Sequence, residues 1–247
     1  MLAEQRARAI LQQLAQHQTV TVTELCQTTG ASEATIRRDL NALADQGRLV
    51  KIHGGATTLE EEEFLAWEPD LATKQRYARE KERIARYAAS LVGDSDVVYL
   101  DTSTTVLHMA NHLKDSNALF VTSSIDFAGM LSAHERRVYV LGGMMKPGTV
   151  DIVGAEALNA LRRYNFTKAF LGTGGISLNQ GFTSPDPEAA DLKALAASRA
   201  QSVYMLADSS KFGKVTAATI LPLEAAQIIT DKVPAPQYME NADIIAI

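Results

Sequence analysis

The chain has 247 residues, 46% hydrophobic and 21% charged, with a net charge of −5. Those totals exclude a chain disordered throughout or basic throughout, and the length suits one large domain or a small domain joined to a medium one. There is no run of about 18 apolar residues to span a membrane, the charged start MLAEQRARAI does not read as a secretory leader, and the lone cysteine, Cys26, has no internal partner, so a reducing cytoplasmic location is expected.

In chain order, the first predicted element is a helix over Gln5–Gln16, with Ile10, Leu11 and Leu14 at helical spacing. A short helix follows over Thr23–Thr28, with Thr23 as its expected N-cap and Cys26 expected as a small buried hydrophobe. Gly30 makes a turn, and Ser32 caps a third helix that Gly47 ends. RLVKIHGG then reads as a strand closing on a Gly-Gly turn. Helix, short helix, tight turn, helix and β-wing is the winged form of helix-turn-helix.

The third helix contains TIRRDLNAL, with two arginines side by side. At about 100° per residue, Ile36, Leu40 and Leu43 fall on one side and must face the core. Arg38 lies almost opposite, near Ala34 and Asn41, while Thr35 and Arg37 occupy the flanks. A hydroxyl, two guanidiniums and an amide on one exposed surface suit a helix that enters a DNA groove. Ser32, Ala34, Thr35, Arg37, Arg38 and Asn41, with Lys51 and His53 on the wing, are therefore the expected DNA contacts. Asp39 turns toward the core side and is expected to pair with another residue. Residues 1–57 carry six Lys/Arg against five acids, a charge of +1, and the rest carries −6. Placement of charge, more than its total, points to double-stranded DNA.

TTLEEEEFLAWEPDLA, with four successive glutamates and then Pro69, reads as a linker because like charges repel in a helix and proline restricts the residue before it. Phe64 and Trp67 are its expected anchors. The expected division is a head over 1–57, a linker over 58–72 and a body over 73–247.

In the body, seven apolar runs of strand length recur: DVVYL, ALFVT, RVYVL, KAFLG, SVYML, QIIT and DIIAI. Helical stretches such as Thr104–Leu113, Ser124–Ala133, Ala155–Arg163 and Glu188–Ala200 separate most of them. Strands apolar almost throughout, alternating with helices, predict an α/β domain with a mainly parallel, Rossmann-like sheet covered on both faces. Small polar and glycine-rich segments follow the first five strands: DTSTT, SS, GGMMKPG, GTGG and ADSSKFG. Ligands bind outside the carboxyl ends of such strands. Asp101, Ser103, Thr104, Thr105, Thr122, Ser123, Ser124, Gly142, Gly143, Lys146, Gly172, Gly174, Lys193, Asp208 and Lys211 are the expected contacts of a polyhydroxylated anionic ligand. DTSTT opens directly into a helix, whose start suits a phosphate. Nucleotide motifs are missing: Ser177 stands where GxGxxG needs its third glycine, and no P-loop occurs. His108 and His112 share a helix face without the glutamate of HExxH, so neither a metal nor a cofactor is expected.

SEATIRRDLNAL followed by GRLVKIHGGA resembles the N-terminal signature of the DeoR family of bacterial transcription regulators. EKERIARYAA, DTSTT, VLGGMMKP, KAFLGTGGI and ADSSKFG are similar to that family's effector domain, so the resemblance covers nearly the whole chain. It implies a body related to sugar-phosphate isomerases and a phosphorylated sugar or catabolite as effector. Two positions depart from the family pattern, with Ser103 in place of the glycine of GTT and Ser123 in place of the asparagine of TNS. The expected function is repression of a sugar uptake or catabolism operon under control of that effector, with no catalytic residue. The competing expectations are a sugar-phosphate isomerase or deaminase carrying a DNA-binding head, and a body that is only an interaction module. Because one helix-turn-helix covers too few base pairs for a unique site, a homodimer or homotetramer is expected.

Overall fold

A computed structural model describes residues 2–46, 48–58, 63–65, 76–147, 149, 151–233 and 235–247. The chain packs as two compact units, residues 1–61 with 235–240 and residues 62–234 with 241–247.

In the first unit, α1 (Ala3–His17), β1 (Thr19–Thr21), α2 (Val22–Thr29), α3 (Glu33–Asp45), β2 (Val50–Ile52) and β3 (Gly55–Thr57) follow one another. Ile10 and Leu14 of α1, Leu25 of α2, and Ile36, Leu40 and Leu43 of α3 are fully or almost fully buried and form one core with Val20, Val22, Leu49 and Ala56. The three helices thus bury the faces that their apolar spacing specifies. The cap of α2 differs from the expectation: Thr21, not Thr23, caps it. Thr21 Oγ1 accepts from the Glu24 N–H at 3.2 Å, and Glu24 accepts from the Thr21 N–H at 2.7 Å. This reciprocal box satisfies two backbone donors, and Thr23 lies inside the helix. Replacing Thr21 by Ala is expected to destabilise this unit by about 1 kcal/mol in urea melts, whereas Thr23→Ala should change little. Ser32 caps α3 as expected, accepting from the Thr35 N–H. Gly47, the expected stop, lies outside the described residues.

The strands form an antiparallel sheet in the order β1-β3-β2. β1 was not foreseen, because three residues carry no measurable alternation. The sheet explains the second glycine of the wing turn. A Cβ on Gly55 would lie 2.2 Å from the Val20 carbonyl oxygen, so only glycine lets β3 approach β1. Cys26 is free and half-buried.

The second unit contains β4 (Glu63–Phe64), α4 (Ala78–Ser90), β5 (Val97–Leu100), α5 (Thr104–Leu107), β6 (Leu119–Thr122), α6 (Ile125–Ser132), β7 (Val138–Val140), β8 (Met144–Met145), β9 (Ile152–Val153), α7 (Ala155–Leu161), β10 (Phe166–Gly172), β11 (Gly175–Ser177), β12 (Gly181–Ser184), α8 (Pro187–Ser198), β13 (Ala200–Leu206), β14 (Lys214–Val215), β15 (Ala218–Leu221), β16 (Gln227–Thr230) and β17 (Ile244–Ala246). The seven apolar runs become one parallel sheet, ordered β17-β16-β13-β10-β5-β6-β7. Its main core joins Val98, Leu100, Phe120 and Phe170 to Ile84 and Ala88 of α4 and to Phe127 and Leu131 of α6. The ten-residue helix expected at Thr104 is one α-turn that tightens into a 3-10 helix over His108–His112. Its β-branched start, Thr104-Thr105-Val106, disfavours regular helix.

Short antiparallel pieces escaped the sequence: β8 with β9, and the sheet β11-β12-β15. Two- to four-residue strands are too short for periodicity to register. Within the expected linker, Glu63–Phe64 forms a strand. β4 pairs in parallel with β14, with the Glu63 N–H donating to Gly213 O and the Leu65 N–H to Val215 O, both at 2.9 Å. Phe64 is held there by its backbone, and its side chain is exposed. Trp67 lies outside the described residues. No helix among the described residues is long and apolar enough to cross a membrane.

Candidate functional site

Two surfaces gather the expected site residues. On α3, Ala34, Arg37, Arg38 and Asn41 are exposed, Thr35 is half-buried and Ser32 is engaged as the cap. Arg37 stands 3.7 Å from Glu33 one turn earlier, an exposed and weak pair. Arg38 has no hydrogen-bond or ion-pair partner among the described residues, so its guanidinium is open to a phosphate or a guanine edge. Asp39 meets Arg6 of α1 through two bonds, 2.7 Å to Nε and 3.1 Å to Nη2. This fork ties α3 to α1 and takes the acid away from the exposed side that carries Arg37 and Arg38. Lys51 and His53 are exposed on the wing.

The second surface lies at the carboxyl ends of the central strands. β5 ends in Asp101, which is 1% exposed. Its Oδ1 accepts from the Ser103 N–H at 2.8 Å, and its Oδ2 from the Gly172 N–H at 2.7 Å. Lys193, reaching in from α8, lies 3.0 Å from the same Oδ2 and donates to Gly172 O at 2.7 Å. Asp101 thereby joins the carboxyl ends of β5 and β10 to α8. Its ion-pair partner is Lys193. Gly172 allows this closeness, since a Cβ there would come within 2.2 Å of Ser103 Oγ.

A pocket opens beside this pair, lined by the polar residues Tyr99, Asp101, Thr102, Ser123, Asp151 and Lys193 and by the apolar residues Ile152, Val153, Ala189 and Leu192. The Tyr99 hydroxyl lies 3.3 Å from Ser123 Oγ. Burial pushes the Tyr99 phenol far above its ordinary range against the opposing Ser123 bond, and the charges of Asp101 and Asp151 add to the rise. It is therefore a neutral hydroxyl at any physiological pH. At the start of α5, Thr104 Oγ1 accepts from Lys81 Nζ at 3.0 Å. Lys81 is 4% exposed, so this side chain brings a buried cation to the helix start.

The other expected ligand residues divide by what already occupies them. Ser103 caps α5 through its hydroxyl, and Thr105 is buried in the first turn. Thr122 and Ser124 are buried, and their hydroxyls hold backbone: Thr122 Oγ1 donates to Leu100 O at 2.7 Å and accepts from the Ser124 N–H, while Ser124 caps α6. Of that loop, only Ser123 lines the pocket. Gly142 and Gly143 are exposed after β7. Lys146 is joined to Asp186 at 2.5 Å, and Lys211 is half-buried in a 3-10 turn. Asp208 caps that turn with one oxygen, and its other oxygen is buried with no hydrogen-bond partner among the described residues. Gly174 packs against Pro185 and Thr216.

Sequence reasoning missed Lys81, Tyr99 and Asp151. Lys81 was findable: with Ile84, Ala85 and Ala88 it falls on one helical face, and that face is buried. Tyr99 was a lone hydroxyl in an apolar strand. Nothing local marked Asp151. His108 and His112 both bond Glu82, at 2.8 and 2.6 Å, and among the described residues no group of three His, Cys, Asp or Glu could hold a metal.

The DeoR-like helix-turn-helix domain model matches residues 6–62, and the DeoR C terminal sensor domain model matches residues 76–232. The chain is 40% identical over 232 residues to the uncharacterized HTH-type transcriptional regulator FruR of Bacillus subtilis, covering 93% of this chain and 91% of the relative. It is 34% identical to the HTH-type transcriptional regulator IolR of the same organism, over 88% and 86% of the two chains. It is also 34% identical to that organism's HTH-type transcriptional repressor GlcR, over 98% and 94%.

Proposed function

This chain belongs to the DeoR family of transcription regulators, and from that premise we propose that it represses a sugar uptake or catabolism operon and that a phosphorylated sugar or catabolite modulates its grip on the operator. It is a regulator and not an enzyme, as are the relatives it matches over nearly their whole length. The proposed parts are a DNA-binding head over 1–57, a linker over 58–72 and a sensor over 73–247, working in the cytoplasm as a homodimer or homotetramer.

The observation that carries the DNA reading is the division of α3. Three side chains lock it into the core while Arg37, Arg38 and Asn41 stand exposed on the other side. Ser32, Ala34 and Thr35 complete the approach face, and Lys51 and His53 extend it to the wing. The Arg38→Ala protein is expected to lose about 1–3 kcal/mol of operator affinity, with specificity relaxed at one base pair if Arg38 reads guanine. A phosphate contact would instead lower the salt slope by about one at unchanged specificity. Gel shifts on an operator selected from random duplexes decide it. Unchanged affinity in a folded Arg38→Ala protein would sink the assignment.

The sensor reading places the effector's phosphate at the start of α5, on Ser103, Thr104 and Thr105 with Lys81 beside them, and its hydroxyls on Asp101, Ser123, Asp151 and Lys193. Carboxylates accept from sugar hydroxyls, and a buried ammonium suits phosphate. Gly142, with open space where a Cβ would stand, lets backbone approach the ligand, and Gly143, Gly172 and Gly174 let the segments around the crevice pack closely. Thr122 and Ser124 hold the loop, and Lys146, Asp208 and Lys211 edge the crevice. β4 supplies a route outward. It is bonded to β14 immediately after the Asp208–Lys211 turn, so a ligand that shifts this turn shifts the middle of the linker. Only differential binding to two arrangements can move the DNA equilibrium.

A further inference from the structure

We propose that β7, the last strand of the central sheet, is a self-association edge at which two copies of this chain pair across a two-fold axis centred on Tyr139. The proposal rests on the reading of the chain as an oligomeric regulator and names the surface that joins the copies.

β7 pairs with β6 on one side and, among the described residues, with nothing on the other. Its inward groups are identifiable. Arg137 O accepts from the Phe120 N–H, and the Leu141 N–H donates to Thr122 O. In a parallel pair, alternate residues bond the same neighbour, so Arg137, Tyr139 and Leu141 are committed to β6. The peptide groups of Val138 and Val140 therefore point away from the sheet. Natural edges are usually blunted by proline, a bulge or a cover. β7 has neither proline nor bulge, and its residues favour strand.

The side chains around this edge are unusually apolar for a surface. Ile125, Tyr139, Val140, Met144 and Met145 are 41–59% exposed, and all lie on β7 or on segments flanking its carboxyl end. The charges at its two ends are opposite. α6 and α7 start at the carboxyl end of the sheet and bring the exposed Asp126 and Glu156 there. At the amino end, the exposed Arg137 opens β7 two residues after the exposed Glu135, and the exposed Arg162 and Arg163 close α7, which leaves that end net basic. An apolar centre with acid at one end and base at the other is complementary to itself under two-fold rotation, which places each basic end on the partner's acidic end.

The register follows from the three-residue strand. Rotation about its midpoint sets Tyr139 opposite the partner's Tyr139. It also sets Val138 opposite the partner's Val140, in the orientation where both residues exchange their peptide hydrogen bonds. Four new bonds form, all from groups that now face outward. Tyr139 becomes a non-hydrogen-bonded pair, with Cα atoms about 4.5 Å apart, inside the range of about 4.4–6.8 Å that a disulfide spans.

Cross-linking tests this register on full-length protein carrying Cys26→Ser. Under mild oxidation, the Tyr139→Cys protein is expected to become largely disulfide-linked dimer, while Val138→Cys and Val140→Cys, which do not meet their own copies, remain mostly unlinked. Tyr139→Glu places two carboxylates on the axis and is expected to raise the dimer dissociation constant about 100-fold or more in sedimentation. Phe64→Glu, at a still more exposed apolar side chain elsewhere, should leave it unchanged. If Tyr139→Glu leaves the protein dimeric, or if Tyr139→Cys cross-links no better than Val138→Cys, the edge is wrong, even where operator binding persists and the regulator reading stands. A wild-type protein that is monomeric at micromolar concentration overturns it as well.

Discussion

The Asp101→Ala protein is expected to lose about 3–5 kcal/mol of stability, because it leaves the buried Lys193 ammonium without its counter-charge. Two further bonds go with it, the N–H donors of Ser103 and Gly172, which Asp101 now satisfies. Removing one member of a buried pair costs more than removing both. The double variant Asp101→Ala with Lys193→Met is therefore expected to recover a substantial part of the loss. Denaturant melts of the wild type, both single variants and the double variant give the coupling directly. A double variant as unstable as the sum of the singles would mean that the pair adds nothing and that Asp101 acts only as a backbone acceptor. The distinction bears on sensing, since the same carboxylate forms one wall of the proposed sugar site and ties together the loops around it.

Lys81→Met is expected to raise the effector concentration needed to change operator binding by about 10- to 100-fold, the worth of one charge-assisted hydrogen bond of about 1.5–3 kcal/mol. Methionine keeps most of the length and packing of the lysine stem on α4 while removing the charge beside Thr104. Operator affinity without effector should stay as in the wild type. The effector is first found by a thermal-shift screen of sugar phosphates, since a ligand selective for the native state raises the melting point. It is then titrated against the operator complex. Thr104→Val serves as the neutral partner of the test, removing the hydroxyl that Lys81 engages. If both variants respond at the wild-type effector concentration, the phosphate does not sit at the start of α5.

How much of this was legible follows from the range of each interaction. The exposed face of α3 could be drawn from nine consecutive residues, because helical rotation alone decides which side chains oppose Ile36, Leu40 and Leu43, and the structure buries those three. The α2 cap was misplaced by two residues because Thr21 and Thr23 both suit a cap, and the pairing of β1 with β3 fixes where the helix begins. Within the serine-rich loop, Thr122, Ser123 and Ser124 read alike. Two of them spend their hydroxyls on backbone, and only Ser123 meets the pocket, a division that depends on which backbone groups the turn leaves unpaired.

By itself the sequence determined the winged head, the seven-strand alternation with helices, the face α3 presents, and the crevice at the strand ends, since each follows from periodicity or from the chemistry of a few neighbouring residues. Only the tertiary structure decided which side chains gather at that crevice. It brings Lys193 to Asp101 across 92 positions and Lys81 to Thr104 across 23, and it turns Lys146 to Asp186. Pairings of that separation are settled by how helices pack on a sheet, and local pattern carries no information about which distant charge will arrive opposite a buried one.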